Sequence, residues 1–510
     1  MAGTRRFAFN VVMNWIAMAV GMAVPFFLTP IVVRKLGADA YGVWILAAST
    51  VSYLGILDLG LRSAVIRFVS KAKAQDKPED ARSAIAAALW FRLLIAAGVA
   101  VLSFILAWVF PDLFKKIPPD LVRASQITVL MCALGVSIWL VTGVFGAVLA
   151  AINRFDVLST VSMVQTIARA GGVLLILYSG HGLVALAYWE VVVTLVGGLA
   201  TCAIALKLFP PCRVRIGRPE SQMVRMIWSY SFTTFVLIIA TQIIMNTDNL
   251  VVGAFLSVGL VSFYSIGGSL ITYSAQVVTA LTTTFTPLAS SLDASGRLED
   301  LQKLLLRGTQ AALGMALPIS LALLFRGKTF IGLWMGHQYS EISGTVLQIL
   351  MISQFFNLAN TTASSVMMAI EKHKTVAKWA VLEAFGNLFL SIVLVKTIGI
   401  YGIAWGTSIV TAIIHLIFWP RYVSKVLNIP VRRYLWQGWG KIAMCSIPYG
   451  IACVITDRYW HPGNLIVFFS QIVLILPIYA VCVLLIFRSE VGAIFQRWQA
   501  SRLSRTQTIT

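Results

Sequence analysis

The sequence has few charged residues. Asp, Glu, Lys and Arg make up only 12% of its 510 residues, whereas 59% are hydrophobic. A soluble domain is closer to a quarter charged and about half apolar. So little charge excludes an ordinary cytosolic enzyme, a disordered chain and a secreted disulfide scaffold. With a mean hydropathy of +0.86, the composition predicts an all-α polytopic membrane protein.

The sequence also lacks the common motifs of catalysis and metal binding. It contains no GxxxxGK[ST] phosphate loop, no HExxH motif and no paired-carboxylate site. The cysteines form neither a metal-type cluster nor a disulfide framework, and five of the six lie within apolar runs. We therefore expect a protein that is not an enzyme, with no cofactor and no metal site.

Acidic residues are scarce relative to basic ones, with 19 Asp and Glu against 40 Lys and Arg, giving a net charge of +21. The basic residues lie in short segments between apolar runs, where they set orientation and contact anionic lipid headgroups. We therefore expect membrane lipids, and not nucleic acid, as partners. Placing the N-terminus in the cytoplasm puts 29 of the 40 basic residues on that side. This bias predicts that both termini are cytoplasmic.

Apolar runs dominate the chain. Fourteen of them are long enough to cross a bilayer, which takes about 20 residues as a helix. The least certain of these are the seventh and eighth, separated only by a short polar break, and the thirteenth, residues 440–456, which is barely long enough. No hydrophilic segment exceeds about 25 residues, so no room remains for a soluble catalytic domain.

An internal repeat relates the two halves. FLTPIVVRKLGADAYGVW near residue 27 resembles MNTDNLVVGAFLSVGLVSFY near residue 245, and AINRFDVLSTVSMVQTIARAGGVLLI resembles AIEKHKTVAKWAVLEAFGNLFLSI at a similar offset of about 218. The period covers six spans, which predicts two six-helix lobes related by an axis along the membrane normal. The predicted segments are an N-terminal lobe (1–207), a cytoplasmic linker (208–226), a C-terminal lobe (227–420), a cytoplasmic loop (421–440), two additional helices (441–487) and a cytoplasmic tail (488–510).

Three stretches resemble a known family. NWIAMAVGMAVPFFLTPIVVRKLGADAYGVWILAAST, LDLGLRSAVIRFVS and TDNLVVGAFLSVGLVSFYSIG are similar to the bacterial polysaccharide-biosynthesis flippases of the multidrug/oligosaccharidyl-lipid/polysaccharide exporter superfamily. The resemblance implies translocation of an undecaprenyl-pyrophosphate-linked oligosaccharide across the inner membrane by alternating access of the two lobes. It implies lipid-linked oligosaccharide, membrane lipids, and polysaccharide polymerase and chain-length machinery as partners.

Two other functions stay open. A cation-coupled multidrug exporter of the same superfamily would need a cavity suited to drug cations, whereas the deep charges of this chain include arginines. A membrane-embedded glycan polymerase or ligase tends to carry a large external loop. The longest external segments predicted here are only about 10–16 residues long.

Charged residues at membrane depth are few, and each is a candidate for a cavity or a pair. Arg169 and Glu190 flank a predicted turn at similar depth, so they are within reach of each other. Glu383 and His415 repeat that arrangement in the second half. Two interpretations stay open, a structural pair that fixes each hairpin and a polar cavity wall that also carries a coupling proton.

Three further residues are candidates nearer the membrane surfaces. Arg62 follows Asp58 by one helical turn, a spacing that allows an ion pair, and Arg92 is close enough to the cytoplasmic face to snorkel. Asp248 ends the seventh span as a cap or a gate. Anchoring and pyrophosphate binding are both open for the arginines, and we expect a net positive cavity. The predicted substrate-cavity residues are Arg62, Arg92, Arg169, Glu190, Asp248 and Glu383, with Glu383 and His415 as coupling residues.

Overall fold

The computed structural model describes residues 2–214 and 221–487, and every regular element in these residues is helical. The predicted tail, 488–510, and residues 215–220 of the predicted linker lie outside the described residues. The first helices are α1 (Ala2–Leu36), α2 (Ala38–Ser52), α3 (Leu61–Ala74), α4 (Pro78–Leu113), α5 (Val122–Ala151), α6 (Phe155–Tyr178), α7 (Leu183–Leu208), α8 (Ser221–Phe255) and α9 (Val258–Thr282). They are followed by α10 (Phe285–Ala294), α11 (Leu298–Met335), α12 (His337–Ala369), α13 (His373–Ile398), α14 (Ile400–Ile413), α15 (Trp419–Val426), α16 (Val431–Arg433), α17 (Lys441–Tyr459) and α18 (Leu465–Ile486).

The fourteen predicted spans are confirmed. Within the described residues, fourteen helical stretches are long and apolar enough to cross a membrane. They include the short thirteenth run, which is part of a longer stretch, Val431–Tyr459, that continues through a π-helical segment, Tyr434–Gly440. Many large apolar side chains on these helices point outward, as a lipid-facing surface requires. The chain is a multi-pass, all-α membrane protein.

The described residues form two compact units. The first comprises the described residues up to Ser265 together with Ala377–Ile403, and the second comprises Ile266–Val376 and the described residues from Ala404 onward. In the first unit, α5 packs against α2, α3, α4 and α7, so it lies at the centre of that unit. This division reflects packing within the chain and not the sequence repeat. The two predicted lobes, 1–207 and 227–420, therefore stay a prediction.

The second span is broken in its middle. After α2, a 3₁₀ segment covers Tyr53–Asp58, and Leu59 and Gly60 then take positive φ angles of 51° and 74°. Positive φ is easy for glycine but costly for leucine. The helical register is lost at this point, and α3 starts afresh at Leu61 with buried apolar residues along one face and exposed basic ones on another.

The helices of the third and ninth spans, α4 and α11, begin in the same way. Glu79 and Asp80 lie in the first turn of α4, and Glu299 and Asp300 lie in the first turn of α11. Acidic side chains at these positions interact favourably with the positive end of the helix dipole. The two starts are 220 residues apart, Pro78 against Leu298, which matches the period of the sequence repeat.

The last two spans are attached to the second unit by a buried arginine. Arg326 on α11 is fully buried, and its Nη2 donates to Gln471 Oε1 on α18 at 2.5 Å. Its Nε lies 3.5 Å from Asp457 Oδ1 on α17. Its guanidinium also lies 4.6 Å from the centre of the Phe468 ring. Arg326 lies within a helix and not in a loop, because α11 continues to Met335.

Candidate functional site

A cavity of about 160 Å³ lies inside the first unit. It is bounded by residues of α3, α4, α5, α6 and α7. The residues that line it are Arg62, Arg92, Trp139, Thr142, Gly143, Gly146, Leu158, Val161, Ser162, Gln165, Thr194, Gly197, Gly198 and Thr201. Two of them are arginines and none is acidic, so the lining of this cavity is cationic. Arg62 and Arg92, both proposed from the sequence, therefore line one cavity.

Arg92 lies deep in this wall. It is 1% exposed and sits about 21 Å along α4 from Pro78, at ~1.5 Å per residue. Its Nη2 donates to Asp58 Oδ1, and its Nη1 donates to the backbone carbonyl of Leu140 at 2.6 Å. A charge buried this far needs such a partner, because removing it from water is costly. The prediction that Arg92 snorkels to the surface was wrong, since its charge is neutralised inside the unit.

The ion pair that the sequence spacing allowed between Asp58 and Arg62 is not formed. The spacing suits an ion pair only if one continuous helix joins the two residues. The positive φ angles at Leu59 and Gly60 interrupt that helix, and the Asp58 carboxylate instead accepts a hydrogen bond from Arg92. Arg62, which is exposed, makes no hydrogen bond or ion pair with any residue that the structure describes. Its guanidinium is therefore available to a ligand.

Gly143 makes room for the buried guanidinium. A Cβ atom at this position of α5 would lie only 2.7 Å from Arg92 Nη1, closer than carbon and nitrogen approach without a bond. Glycine thus allows the arginine of α4 to lie against the backbone of α5. This role of Gly143 could not be predicted from the sequence, because nothing in the local pattern shows which side chain lies opposite.

Polar residues on α6 and α7 form the rest of the lining. Ser162 and Gln165 lie three residues apart on α6, and Thr194 and Thr201 lie seven apart on α7, so each pair shares one helix face. Gln165 Nε2 donates to the carbonyl of Val193 at 3.4 Å. The hydroxyls of Ser162 and Thr194 bond to no described residue. Sequence reasoning missed these residues, although their helical spacing was visible.

Arg169 and Glu190 pair as the sequence predicted. Arg169 Nε and Nη2 donate to the two carboxylate oxygens of Glu190 at 2.6 and 2.7 Å, joining α6 to α7. This two-pronged geometry is the strong form of an arginine–carboxylate pair. Trp189 Nε1 also donates to the carbonyl of Arg169 at 3.3 Å. The pair lies one helical turn beyond Gln165 and does not line the cavity, so a substrate role for it stays a prediction.

Asp248 belongs to a polar cluster in the first unit, away from the lining of the cavity. Its carboxylate is buried and accepts a hydrogen bond from the hydroxyl of Tyr264 at 2.6 Å. Thr247 precedes Asp248 on α8, and its hydroxyl lies 2.5 Å from the hydroxyl of Tyr53. The acid is thus held in place by a neighbouring helix, and its predicted role as a gate or cavity residue stays a prediction.

Glu383 and His415 are both buried but belong to different units. His415 lies in a π-helical turn, Ile414–Phe418, where its ring stacks on Trp419 with centroids 6.2 Å apart. Its backbone carbonyl accepts a hydrogen bond from Asn360 at 2.7 Å. The predicted proximity of Glu383 and His415, and their role in coupling, stay predictions. Among the described residues, no group of three or more His, Cys, Asp or Glu could hold a metal ion.

Solved structures with the same fold are transporters. The chain superimposes on "Lipid II flippase MurJ, inward closed conformation" with a TM-score of 0.73 and 16% identity, covering 94% of this chain and 99% of that one. It also matches an inward-facing multidrug resistance MATE family transporter of the MOP superfamily, with a TM-score of 0.67 and 14% identity, covering 82% and 98%. At these identities the likeness concerns the fold alone, which is that of a polytopic helical transporter.

The sequence comparisons identify the family. A family model described as "Polysaccharide biosynthesis protein" matches residues 31–344. The chain is 26% identical over 445 residues to the Bacillus subtilis "Uncharacterized membrane protein EpsK", covering 82% of this chain and 84% of EpsK. It is 21% identical over 431 residues to the Haloferax volcanii "Probable low-salt glycan biosynthesis flippase Agl15", covering 83% and 85%.

The family match covers more than half of the chain, so the chain belongs to the polysaccharide biosynthesis protein family. It is a multi-pass membrane flippase of the polysaccharide-biosynthesis type. The resemblance drawn from the sequence motifs is confirmed.

Proposed function

We propose that this flippase moves an undecaprenyl-pyrophosphate-linked oligosaccharide from the cytoplasmic to the outer leaflet of a bacterial inner membrane. The observation that carries the proposal is the cavity of the first unit, which is lined by Arg62 and Arg92 and by no acidic residue. A pyrophosphate brings two or more negative charges into a region of low dielectric. It therefore needs fixed cationic groups or N–H donors there.

The two arginines have different roles in this proposal. Arg92 is buried, and its charge is matched by Asp58, so it contributes a fixed dipole and a rigid wall. Arg62 is exposed and has no partner among the described residues, so its planar guanidinium supplies the free charge that meets the pyrophosphate. Arginine suits this task, since it can donate two parallel hydrogen bonds to a phosphate group.

The alternative function, export of drug cations, is disfavoured by the same charges. The fold is shared with multidrug transporters, so the fold does not separate the two functions. A drug cation entering this cavity would meet an unpaired guanidinium and no carboxylate among the lining residues. Repulsion between like charges would oppose binding there, whereas a pyrophosphate would be attracted.

The remaining parts of the proposal rest on the sequence and the family. We place the protein in the inner membrane with both termini cytoplasmic, and we propose alternating access of two six-helix lobes without chemical change to the substrate. Arg169, Glu190, Asp248 and Glu383 do not line the cavity of Arg62 and Arg92. They remain proposed contacts of the substrate elsewhere on its path, and Glu383 with His415 remains a proposed coupling pair. Polymerase and chain-length proteins are proposed as partners that receive the exported glycan.

The experiment is complementation of a strain that lacks this protein. Without it, lipid-linked glycan should accumulate on the inner leaflet, and the wild-type chain should restore surface polysaccharide. Arg62→Glu should fail to restore it, whereas Arg62→Lys should restore it in part because the charge remains. Lys73→Glu is the matched control, since Lys73 is an exposed residue of the same helix and does not line the cavity.

The amounts of all variants in the membrane should be compared by immunoblotting. One outcome is an Arg62→Glu variant that is present in the membrane at the wild-type level and still restores surface polysaccharide fully. This result would contradict the proposed binding of pyrophosphate in this cavity.

A further inference from the structure

We propose that the basic segment, residues 421–441, is a binding surface for the headgroup of an anionic membrane phospholipid. It contains the end of one membrane-crossing stretch, Ile400–Val426, and the start of the next, Val431–Tyr459. Both stretches exceed the roughly 20 residues that cross the hydrocarbon, so the basic segment lies at the level of the headgroups. The inference goes beyond the proposed function, because no residue of this segment lines the cavity of Arg62.

Unbalanced charge is the first reason. Five basic residues and no acidic residue lie between positions 421 and 441. The connection between the third and fourth spans, 111–123, is different, since two acidic residues accompany its three basic ones. Positive charge beside a bilayer attracts anionic headgroups more strongly than zwitterionic ones. The basic residues of the segment with exposed side chains are Arg421, Lys425, Arg432 and Arg433.

The acidic residues of the neighbouring helix do not cancel this charge. The helix α11 packs against the π-helical part of the basic segment, Tyr434–Gly440, and carries Glu299 and Asp300 in its first turn. Asp300 pairs with Arg297 at 2.7 Å, and Lys303 Nζ lies 3.3 Å from Asp300 and 3.9 Å from Glu299. Each acid therefore has a basic neighbour on its own helix.

A fixed backbone is the second reason. Gln302 on α11 donates to the carbonyl of Leu427 at 2.7 Å, and Gln310 on the same helix donates to the carbonyl of Gln437 at 2.7 Å. Tyr434, between these two points, is fully buried. The exposed basic side chains thus extend from a backbone that is already ordered. Less conformational entropy is lost when a headgroup binds to such a surface.

The placement of Arg433 and Trp436 is the third reason. Arg433 Nε donates to Gln437 Oε1 at 3.1 Å, which orients the guanidinium, a group that can donate two parallel hydrogen bonds to a phosphate. Trp436 is 54% exposed, and its ring lies against the backbone of Gly440, where a Cβ atom would be 2.8 Å from Trp436 Cε3. Exposed tryptophans are enriched at the level of lipid headgroups. An oriented guanidinium beside an indole ring matches the phosphate and glycerol of a phospholipid.

The test measures binding of phosphatidylglycerol and phosphatidylcholine to the purified full-length chain in detergent by native mass spectrometry. The wild-type chain should bind its first phosphatidylglycerol molecule more tightly than its first phosphatidylcholine molecule. Arg432→Ala/Arg433→Ala should weaken binding of phosphatidylglycerol by roughly five- to twenty-fivefold, because each basic residue near an anionic surface contributes about fivefold. Arg432→Lys/Arg433→Lys should lose less, because the charge remains. Both variants should unfold at the wild-type temperature, since the two side chains are exposed.

The matched control is Lys115→Ala/Arg123→Ala, which removes the same charge from two exposed residues of the connection 111–123. It should bind phosphatidylglycerol as the wild type does. Equal weakening by this control and by Arg432→Ala/Arg433→Ala would refute the binding surface, as would equal affinity of the wild-type chain for the two lipids. Displacement of phosphatidylglycerol by an equal concentration of glycerol 3-phosphate would show a site for a soluble phosphate ester and would also refute it.

The outcome for this surface is separate from the outcome for the proposed function. Arg62→Glu should bind phosphatidylglycerol as the wild type does while failing to restore surface polysaccharide. If Arg432→Ala/Arg433→Ala keeps the wild-type affinity for phosphatidylglycerol and Arg62→Glu fails in export, the lipid surface is refuted and the proposed function stands. If Arg62→Glu exports normally and the double variant loses phosphatidylglycerol, the proposed function is refuted and the lipid surface stands.

Discussion

Replacing Asp58 by alanine should destabilise the first unit strongly, because it leaves the buried Arg92 without its counter-charge. The guanidinium of Arg92 is 1% exposed, and Asp58 is the only described acidic side chain that pairs with it. Its other hydrogen bond, to the backbone carbonyl of Leu140, is to a neutral group. The backbone of α5 at Gly143 also lies close to the guanidinium.

The size of the effect follows from the burial. Removing one partner of a buried ion pair costs about 3–5 kcal/mol. At roughly 2 °C per kcal/mol for a unit of this size, the unfolding midpoint should fall by about 6–10 °C. Removing both charges should cost less, because apolar groups of similar volume can replace a buried pair with little loss. The double variant Asp58→Ala/Arg92→Met should therefore be more stable than Asp58→Ala alone.

The assay is thermal unfolding of the purified chain, followed by tryptophan fluorescence. Glu79→Ala is the matched control. Glu79 pairs with Arg82 at 2.6 Å on α4, the helix that carries Arg92, but 75% of the Glu79 side chain is exposed. Exposed pairs of this kind contribute little, so the control should unfold close to the wild type. A midpoint for Asp58→Ala no lower than that of Glu79→Ala would refute the argument, as would a double variant less stable than Asp58→Ala.

Three further predictions concern packing, pairing and topology. Gly143→Ala should reduce glycan export, because its Cβ atom would lie 2.7 Å from the buried guanidinium of Arg92. Gly135→Ala on the same helix is the control and should export normally, because a Cβ atom there has no neighbour within 4 Å. Equal export by the two variants would contradict the prediction. Arg169→Ala should impair export more than Arg169→Lys, since lysine keeps the charge beside its carboxylate partner, and equal export by the two variants would argue against a role for the charge. Alkaline phosphatase fused after Thr510 should be inactive, and alkaline phosphatase fused after Pro118 should be active. The distribution of basic residues places Thr510 on the cytoplasmic side and Pro118 on the external side. The reverse pattern of activity would contradict the predicted topology.

The spans could be predicted from the sequence because hydrocarbon imposes a strong local rule. Every backbone polar group must be bonded within the helix, and about 20 apolar residues are needed to cross. Within the described residues, all fourteen runs lie in helical stretches that are long and apolar enough to cross. The break at Leu59 and Gly60 could not be predicted in this way, because both residues are apolar and the run continues through them. It is this break that separates Asp58 from Arg62.

The partners of charged side chains within the spans were predictable only when both lay near each other along a hairpin. Arg169 and Glu190 lie on consecutive helices at similar depth, so their pairing followed from the position of the turn. Arg326 pairs with Gln471, which is 145 residues away. No local pattern reveals a contact of that length, and two basic residues after an apolar run, Arg326 and Lys328, are typical of a loop.

The residues that line the cavity could be predicted from the sequence only in part. The positions Ser162, Gln165 and Thr194 repeat at helical spacing within apolar spans, a pattern that marks one polar face per helix. The spacing alone does not show whether such a face meets another helix or an open cavity. That distinction depends on how closely α5, α6 and α7 pack, which is decided by glycines opposite large side chains.

The most direct test of the account is translocation by the purified chain in proteoliposomes. A fluorescent undecaprenyl-pyrophosphate-linked glycan is placed in one leaflet, and its appearance in the other is followed with a membrane-impermeant quencher, beside a parallel measurement with a cationic dye. We predict that the wild-type chain and Lys73→Glu move the glycan lipid, that Arg62→Glu does not, and that none of them transports the dye. Transport of the dye with no movement of the glycan lipid by the wild-type chain would contradict the account.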